Sequence, residues 1–193
     1  PEIIDWLGGD DGRQTIREIV ADGAAPTVAN IQRWRAKYGV EHVSAVLTQI
    51  ELRKKARNRF SKAEEMLFDA EALEQATGET VARHKAKRFD GFGCVADLCC
   101  GIGGDALAIA EHRNVIAVDQ NPARVAMAVH NARIYGAGER IRGECADVTA
   151  SRPQADAFHI DPSRRGEGRR RHSVEEAEPS LAFLNQLVKE EPA

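Results

Sequence analysis

The sequence predicts an α/β fold: a parallel sheet with flanking helices over residues 91–193, preceded by an all-helical subdomain over residues 1–90. Three observations predict it. Hydrophobic periodicity changes near residue 90, from spacings of three and four to short apolar runs. A glycine-rich turn, Cys99-Cys100-Gly101-Ile102-Gly103-Gly104, joins the first of those runs to a helical pattern. Acids then close or follow the runs, at Asp97, Asp119, Asp147 and Asp161.

Element by element, the first half reads as helices at 12–22, 27–37, 40–59, 61–67, 70–76 and 78–88. Val43, Val46, Leu47 and Ile50 give the amphipathic spacing. Gly23, Pro26, Gly39 and Gly78 punctuate it. Ser61 with Glu64 three residues on predicts a capping box. Strands follow at 94–99, 114–119, 141–145 and 157–161. Between the first two, 106–112 reads as a helix. Asn121-Pro122 opens the next helix, to Tyr135, with Pro in its first turn. A last amphipathic helix is expected at 181–188. Short strands separated by helices imply right-handed crossovers and hence a parallel sheet, incomplete at its C-terminal side.

Composition narrows the function. At 193 residues the chain can bury a core without staples. A net charge of −3 argues against coating nucleic acid by bulk charge, while leaving room for a local basic patch. No apolar run approaches the ~18 residues of a membrane helix, and the acidic start Pro-Glu-Ile-Ile-Asp does not read as a signal peptide. Cys94, Cys99, Cys100 and Cys145 form no Cys-x-x-Cys pair, so they read as small buried residues of a cytoplasmic protein. The six His show no metal-ligand spacing, and no metal is expected.

The glycine loop carries the chemistry. Between a strand and a helix it lets a ligand approach backbone, at the positive end of the helix. Gly101-x-Gly103-x-x-Ala106 also satisfies a dinucleotide fingerprint. Asp97 discriminates between the two readings. Beside a pyrophosphate its carboxylate would repel; beside an ammonium and a sulfonium it attracts. S-adenosylmethionine is therefore the expected cofactor. Asp119 suits ribose hydroxyls, Asp147 an adenine amino group or a mere solvated turn. Asp161, at a strand's carboxyl end, is expected to face the transferred methyl; a turn-initiating Asp-Pro is the plainer alternative.

At these residues the chain resembles the bacterial class I S-adenosylmethionine-dependent methyltransferases that carry a THUMP-like domain. The stretches LTQIELRKKARNRF, MLFDAEALEQATGETVARHKAKRF, VADLCCGIGGDALAIA, VIAVDQNPARVAMAVHNARIYG, CADV and FHIDPSRR carry the resemblance, from Leu47 to Arg165. The glycine-loop half is also similar to enzymes that make trimethylguanosine caps. The resemblance implies a Rossmann-like methyltransferase fold, methylation of RNA and a place in rRNA processing. By position, Asp97, Cys99, Gly101 and Gly103 would cradle the methionine moiety. Asp119 would hold the ribose, with Gln120 and Asn121 nearby, and Asp147 and Val148 would flank the adenine. Asp161 and Pro162 would sit at the acceptor, and the stretch around Met66, Phe68 and Glu74 would close over the cofactor. Two departures stand out: Cys99 replaces the usual first glycine, and Ser163-Arg164 replaces the Pro-aromatic pair of amino-methylating enzymes.

Two basic clusters are candidates for meeting phosphate. Arg53, Lys54, Lys55, Arg57, Arg59 and Lys62 form the first, which reads as a solvated helix face. Arg164, Arg165, Arg169, Arg170, Arg171 and His172 form the second, directly after Asp161. The leading expectation is transfer of a methyl group to a base nitrogen of RNA, with Arg164 and Arg165 at the substrate. The alternatives are a small-molecule or protein acceptor, or a non-catalytic module that binds cofactor or RNA within a longer chain. Oligomeric state is open.

Overall fold

In a computed structural model the described residues are 2–161, 165–166, 169–170 and 179–190. Six helices come first: α1 (Glu2–Gly8), α2 (Asp10–Asp22), α3 (Val28–Tyr38), α4 (Val40–Ala56), α5 (Ala70–Gln75) and α6 (Glu79–Ala86). The alternating part follows: β1 (Cys94–Leu98), α7 (Gly104–Ala110), β2 (Asn114–Asp119), α8 (Pro122–Ile134), β3 (Ile141–Cys145) and β4 (Ala157–Ile160). A two-strand antiparallel ribbon, β5 (Arg165–Gly166) with β6 (Arg169–Arg170), and α9 (Leu181–Glu190) complete it.

The four main strands form one parallel sheet in the order β3-β2-β1-β4. β1 is central, and Val95, Ala96 and Leu98 are fully buried. Burial on both faces explains why β1 reads as a continuous apolar run. The helical half packs on one face: Val43, Val46, Met66, Leu67 and Phe68 share a single hydrophobic cluster with Val95, Ile102, Val115 and Ala128. On the other face Leu187 of α9 joins Leu98, Ile116, Val118 and Val148. This is the Rossmann-like arrangement expected, with a helical N-terminal region.

Two local expectations are corrected. Residues 61–67 form turns and extended chain rather than a helix. The reason is that side chains from elsewhere satisfy their backbone. Arg53 Nε donates to the Met66 carbonyl (3.0 Å). Gln49 donates to the Phe68 carbonyl (2.8 Å) and accepts from its N–H (2.9 Å). Buried Asn131 does the same for Leu67 and donates also to the Ile102 carbonyl (3.0 Å). Backbone groups served this way need no helix. The capping box is absent for the same kind of reason: Ser61 N–H and hydroxyl donate to Glu79 instead of pairing with Glu64. The second correction is α1, which periodicity from residue 12 onward did not predict.

Four members of the first basic cluster are held in structural contacts. Arg53 is buried; Lys54 bonds Glu51, Arg57 bonds Glu64, and Lys62 donates to the Ile134 carbonyl. Among the described residues no helix is long and apolar enough to cross a membrane.

Candidate functional site

β1 and β2 lie side by side, so their carboxyl ends open into one crevice. Past β1 the chain turns through left-handed backbone at Cys99 (φ 68°) and Gly101 (φ 54°) before α7 begins. Asp119, ending β2, fixes this turn from the neighbouring strand. Its Oδ2 accepts the Gly101 N–H (3.0 Å), and its Oδ1 accepts the Asn121 N–H (2.9 Å). Asn121 in turn caps α8 by accepting the Ala123 N–H, with Pro122 in the first turn. One carboxylate thus sets both the glycine loop and the next helix start.

The crevice holds a cavity of about 550 Å³ lined by Asp97, Cys99, Cys100, Gly101, Gly104, Asp105, Asp119 and Asp161 from the sheet side. The helical half closes it with Arg59, Ala72 and residues 74–77. This strap rests on Gly104, where a Cβ would stand 2.8 Å from the Thr77 carbonyl oxygen. Backbone contact that close leaves no room for a side chain. Gly104→Ala is therefore expected to lift the strap, costing roughly 1–3 kcal/mol of stability. A thermal melt with and without S-adenosylhomocysteine checks it; an unchanged midpoint and unchanged ligand response would refute the contact.

A polar network crosses the deep end. Asp105 Oδ2 accepts from the Thr77 hydroxyl (2.7 Å) and from Lys85 Nζ (3.2 Å). Lys85 also reaches Thr77 Oγ1 (2.9 Å) and Asp161 Oδ2 (3.1 Å). His159 Nε2 lies 3.4 Å from Asp105 Oδ2, within ion-pair reach but misaligned for a hydrogen bond. Burial pushes the Asp97 carboxyl up to about 7, with the Asp105 and Asp161 charges adding to it and His159 opposing. Burial pulls His159 down, yet Asp105 and Asp97 carry it above the ordinary imidazole value. Asp105 goes the other way: burial raises it, and His159, Thr77 and Lys85 bring it below the usual carboxylate range. The buried Oδ1 of Asp105 has no hydrogen-bond partner among the described residues.

Five acids thus line the cavity: Glu74, Asp97, Asp105, Asp119 and Asp161. Against them stand Arg59 and Arg124, and Arg124 is already paired with Asp69 and Glu71. Such a surplus favours a ligand with positive charge and disfavours a pyrophosphate. The loop, the ribose-height acid and the buried Asp97 fit S-adenosylmethionine on these grounds.

Of the residues singled out in the sequence, the structure brings Asp97, Cys99, Gly101, Asp119 and Asp161 to this cavity. Gly103 underlies it, against Ala128. Gln120 and Asn121 follow Asp119 outside its lining. Asp147 is exposed and spends its carboxylate on the Thr149 N–H and hydroxyl. Val148 is buried in the second core cluster and borders a different hollow of about 740 Å³, walled by residues 149–156, Phe158 and Phe183. Met66 and Phe68 are core rather than cover, while Glu74 does line the cavity. Pro162, Arg164 and His172 lie outside the described residues, and Arg165 is described by its backbone alone. Sequence reasoning missed Thr77, Lys85, Asp105, Arg124 and His159, and grouped Arg59 with a solvated helix face. Asp105, directly after Gly104, was the one with a signal.

A family described as RNA cap guanine-N2 methyltransferase matches residues 92–184, and a domain of unknown function matches residues 1–56. An uncharacterized S-adenosylmethionine-dependent methyltransferase of Mycobacterium tuberculosis, found alike in strains CDC 1551 and H37Rv, is 35% identical over 158 residues. That alignment covers 78% of this chain and 43% of the relative. The chain belongs to the class I S-adenosylmethionine-dependent methyltransferases. A crystal structure of a candidate methyltransferase from Porphyromonas gingivalis W83 shares this fold, with a TM-score of 0.60 at 23% identity, over 83% of this chain and 45% of that one. The chain therefore spans less than half the length of these relatives. Its acid-lined crevice lies in the part that the cap-methyltransferase family covers, except for Arg59, Ala72 and the strap at 74–77, which precede it.

Proposed function

We propose that this chain binds S-adenosylmethionine in the acid-lined crevice and transfers its methyl group to a base nitrogen of RNA. Residues 91–193 act as the cofactor domain, and the helical subdomain 1–90 closes the crevice, as in the THUMP-like enzymes the sequence resembles. A cytoplasmic setting fits the four unpaired cysteines. The observation that carries the reading is Asp119 gripping Gly101 while lining a cavity whose other acids suit a cation. The guanine-N2 description of the matching family supports RNA as the acceptor.

S-adenosylmethionine, when bound, supplies an electrophilic methyl on a sulfonium. The residues do the rest. Asp119 accepts from the ribose hydroxyls, and Asp97 faces the α-ammonium. Asp161 Oδ2, which now receives the Lys85 ammonium, is the acceptor for an amine N–H and takes the proton that amine sheds. Lys85 keeps Asp105 and Thr77 as partners when this happens. Its own raised pKa, held against burial by Asp105 and Asp161, keeps it an ammonium rather than a competing nucleophile.

The test is transfer of labelled methyl from S-adenosylmethionine to RNA extracted from cells, with and without ribonuclease. RNA-borne label, lost in Asp161→Ala while S-adenosylhomocysteine still raises the melting temperature, is the expected result. Label on protein or small molecules would replace RNA as the acceptor. Ligand binding without any transfer would make the chain a cofactor-binding module.

A further inference from the structure

We infer that Arg59, supplied by the helical subdomain, holds the α-carboxylate of the cofactor's amino-acid tail. The inference rests on the cofactor reading above and extends it to a residue outside the glycine-loop domain. The cofactor's tail carries one anion beside an ammonium and a sulfonium. Every acid lining the cavity attracts the two cations and repels that anion. A carboxylate therefore needs a local cation, and the cavity presents few.

Among the cations at the site, two are committed. Arg124 Nη2 bonds Asp69 (3.1 Å) and Glu71 (2.7 Å). Lys85 bonds Thr77, Asp105 and Asp161. Arg59 is different. It spends only Nη1, on the carbonyls of Leu73 and Glu74. Its Nε and Nη2 have no partner among the described residues, yet Arg59 lines the cavity. Two carbonyl bonds from Nη1 anchor the guanidinium plane against α5. A fork anchored on one side with free donors on the other suits a planar carboxylate.

The anchoring also explains why Arg59 stands apart from its sequence neighbours. Arg53, Lys54, Arg57 and Lys62 all have partners within the helical half or on α8. Arg59 follows the end of α4, where the chain turns, and its own carbonyl accepts the Glu79 N–H (3.0 Å). Its backbone is thus pinned to the start of α6, the helix that carries Lys85. The carboxylate subsite and the Lys85 ammonium that meets Asp161 are then built on one continuous piece of the helical subdomain.

The test compares two probes on this chain: S-adenosylhomocysteine and its decarboxylated analogue, S-adenosyl-3-thiopropylamine, by calorimetric titration. Wild type is expected to bind S-adenosylhomocysteine at least tenfold more tightly. Arg59→Met should bind both probes within twofold of each other, at the wild-type affinity for the analogue. Arg59→Lys should recover part of the preference, and the ligand-free melts of all three should confirm that each is folded. A folded Arg59→Met that keeps the wild-type preference overturns the inference, as does wild type that binds both probes equally. Wild type that binds neither overturns the cofactor reading itself, and this inference with it. Should Arg59→Met fail to fold, Arg59→Lys decides alone: an undiminished preference there, with the shorter point charge, counts against a fork-shaped subsite.

Discussion

Asp119→Ala is expected to weaken S-adenosylhomocysteine binding by roughly a hundredfold or more. Two losses combine. A carboxylate hydrogen-bonded to a ribose hydroxyl is worth about 1.5–3 kcal/mol, and each 1.4 kcal/mol is a factor of ten. The same substitution removes the acceptor for the Gly101 and Asn121 amides. The loop that shapes the crevice then loses its fixed position, so the ligand meets a disordered wall as well as a missing partner. Stability should fall by less than affinity, because both amides can turn to water. Calorimetric titration and denaturant unfolding together check this. An affinity within threefold of wild type would show that the ribose lies elsewhere.

Asp97→Asn should raise stability at alkaline pH while it lowers ligand affinity. The sign follows from the direction of the shift. Burial raises Asp97 from 3.8 to about 7, so between those values the native chain holds a proton that the unfolded chain has released. Stability therefore falls as pH rises through that window, by about 1.4 kcal/mol per pH unit at most. His159, also raised, acts in the same direction: its contribution is present at low pH and is lost as pH climbs through its folded value. Asp105, lowered, contributes stability that disappears only on stronger acidification. The ligand-free melting temperature is thus expected to fall between about pH 4 and pH 7. Asp97→Asn should flatten most of that fall, with His159 leaving a remainder. Binding of S-adenosylhomocysteine to wild type should tighten across the same range, as Asp97 ionises to meet the ammonium. An asparagine variant with wild-type pH dependence in both measurements would locate the proton elsewhere in the cluster.

Much of this was legible in the sequence, for local reasons. β1 and β2 are short apolar runs with an acid at or next to their ends, and Asn121-Pro122 announces α8 in two residues. Asp97 stands four residues before Gly101, and Asp119 closes the very next strand, so the three could be picked out together. What stayed hidden is non-local. The turn at 61–67 depends on Gln49, Arg53 and Asn131, up to 64 residues away, serving its backbone. Spacing alone gives no sign that those side chains converge. The cluster of Thr77, Lys85, Asp105 and His159 assembles only when α6 packs against α7. Val148 is the converse case: it sits in the turn after β3, beside exposed Asp147, yet its side chain is buried in the second core cluster.

Cys99 has a consequence for the protein's chemical lifetime. Its side chain lines the crevice proposed to hold an alkylating cofactor, and a thiolate there would be methylated irreversibly. Burial first, then the charges of Asp119, Asp97, Asp161 and Asp147, push the thiol up to about 12. At neutral pH the reactive anion is then on the order of one molecule in 10⁵. The acids that welcome a cationic ligand thereby protect the protein from suicide by its own reagent. A cysteine at this position is compatible with a bound alkylating ligand for that reason, and the same field should make it slow to react with iodoacetamide.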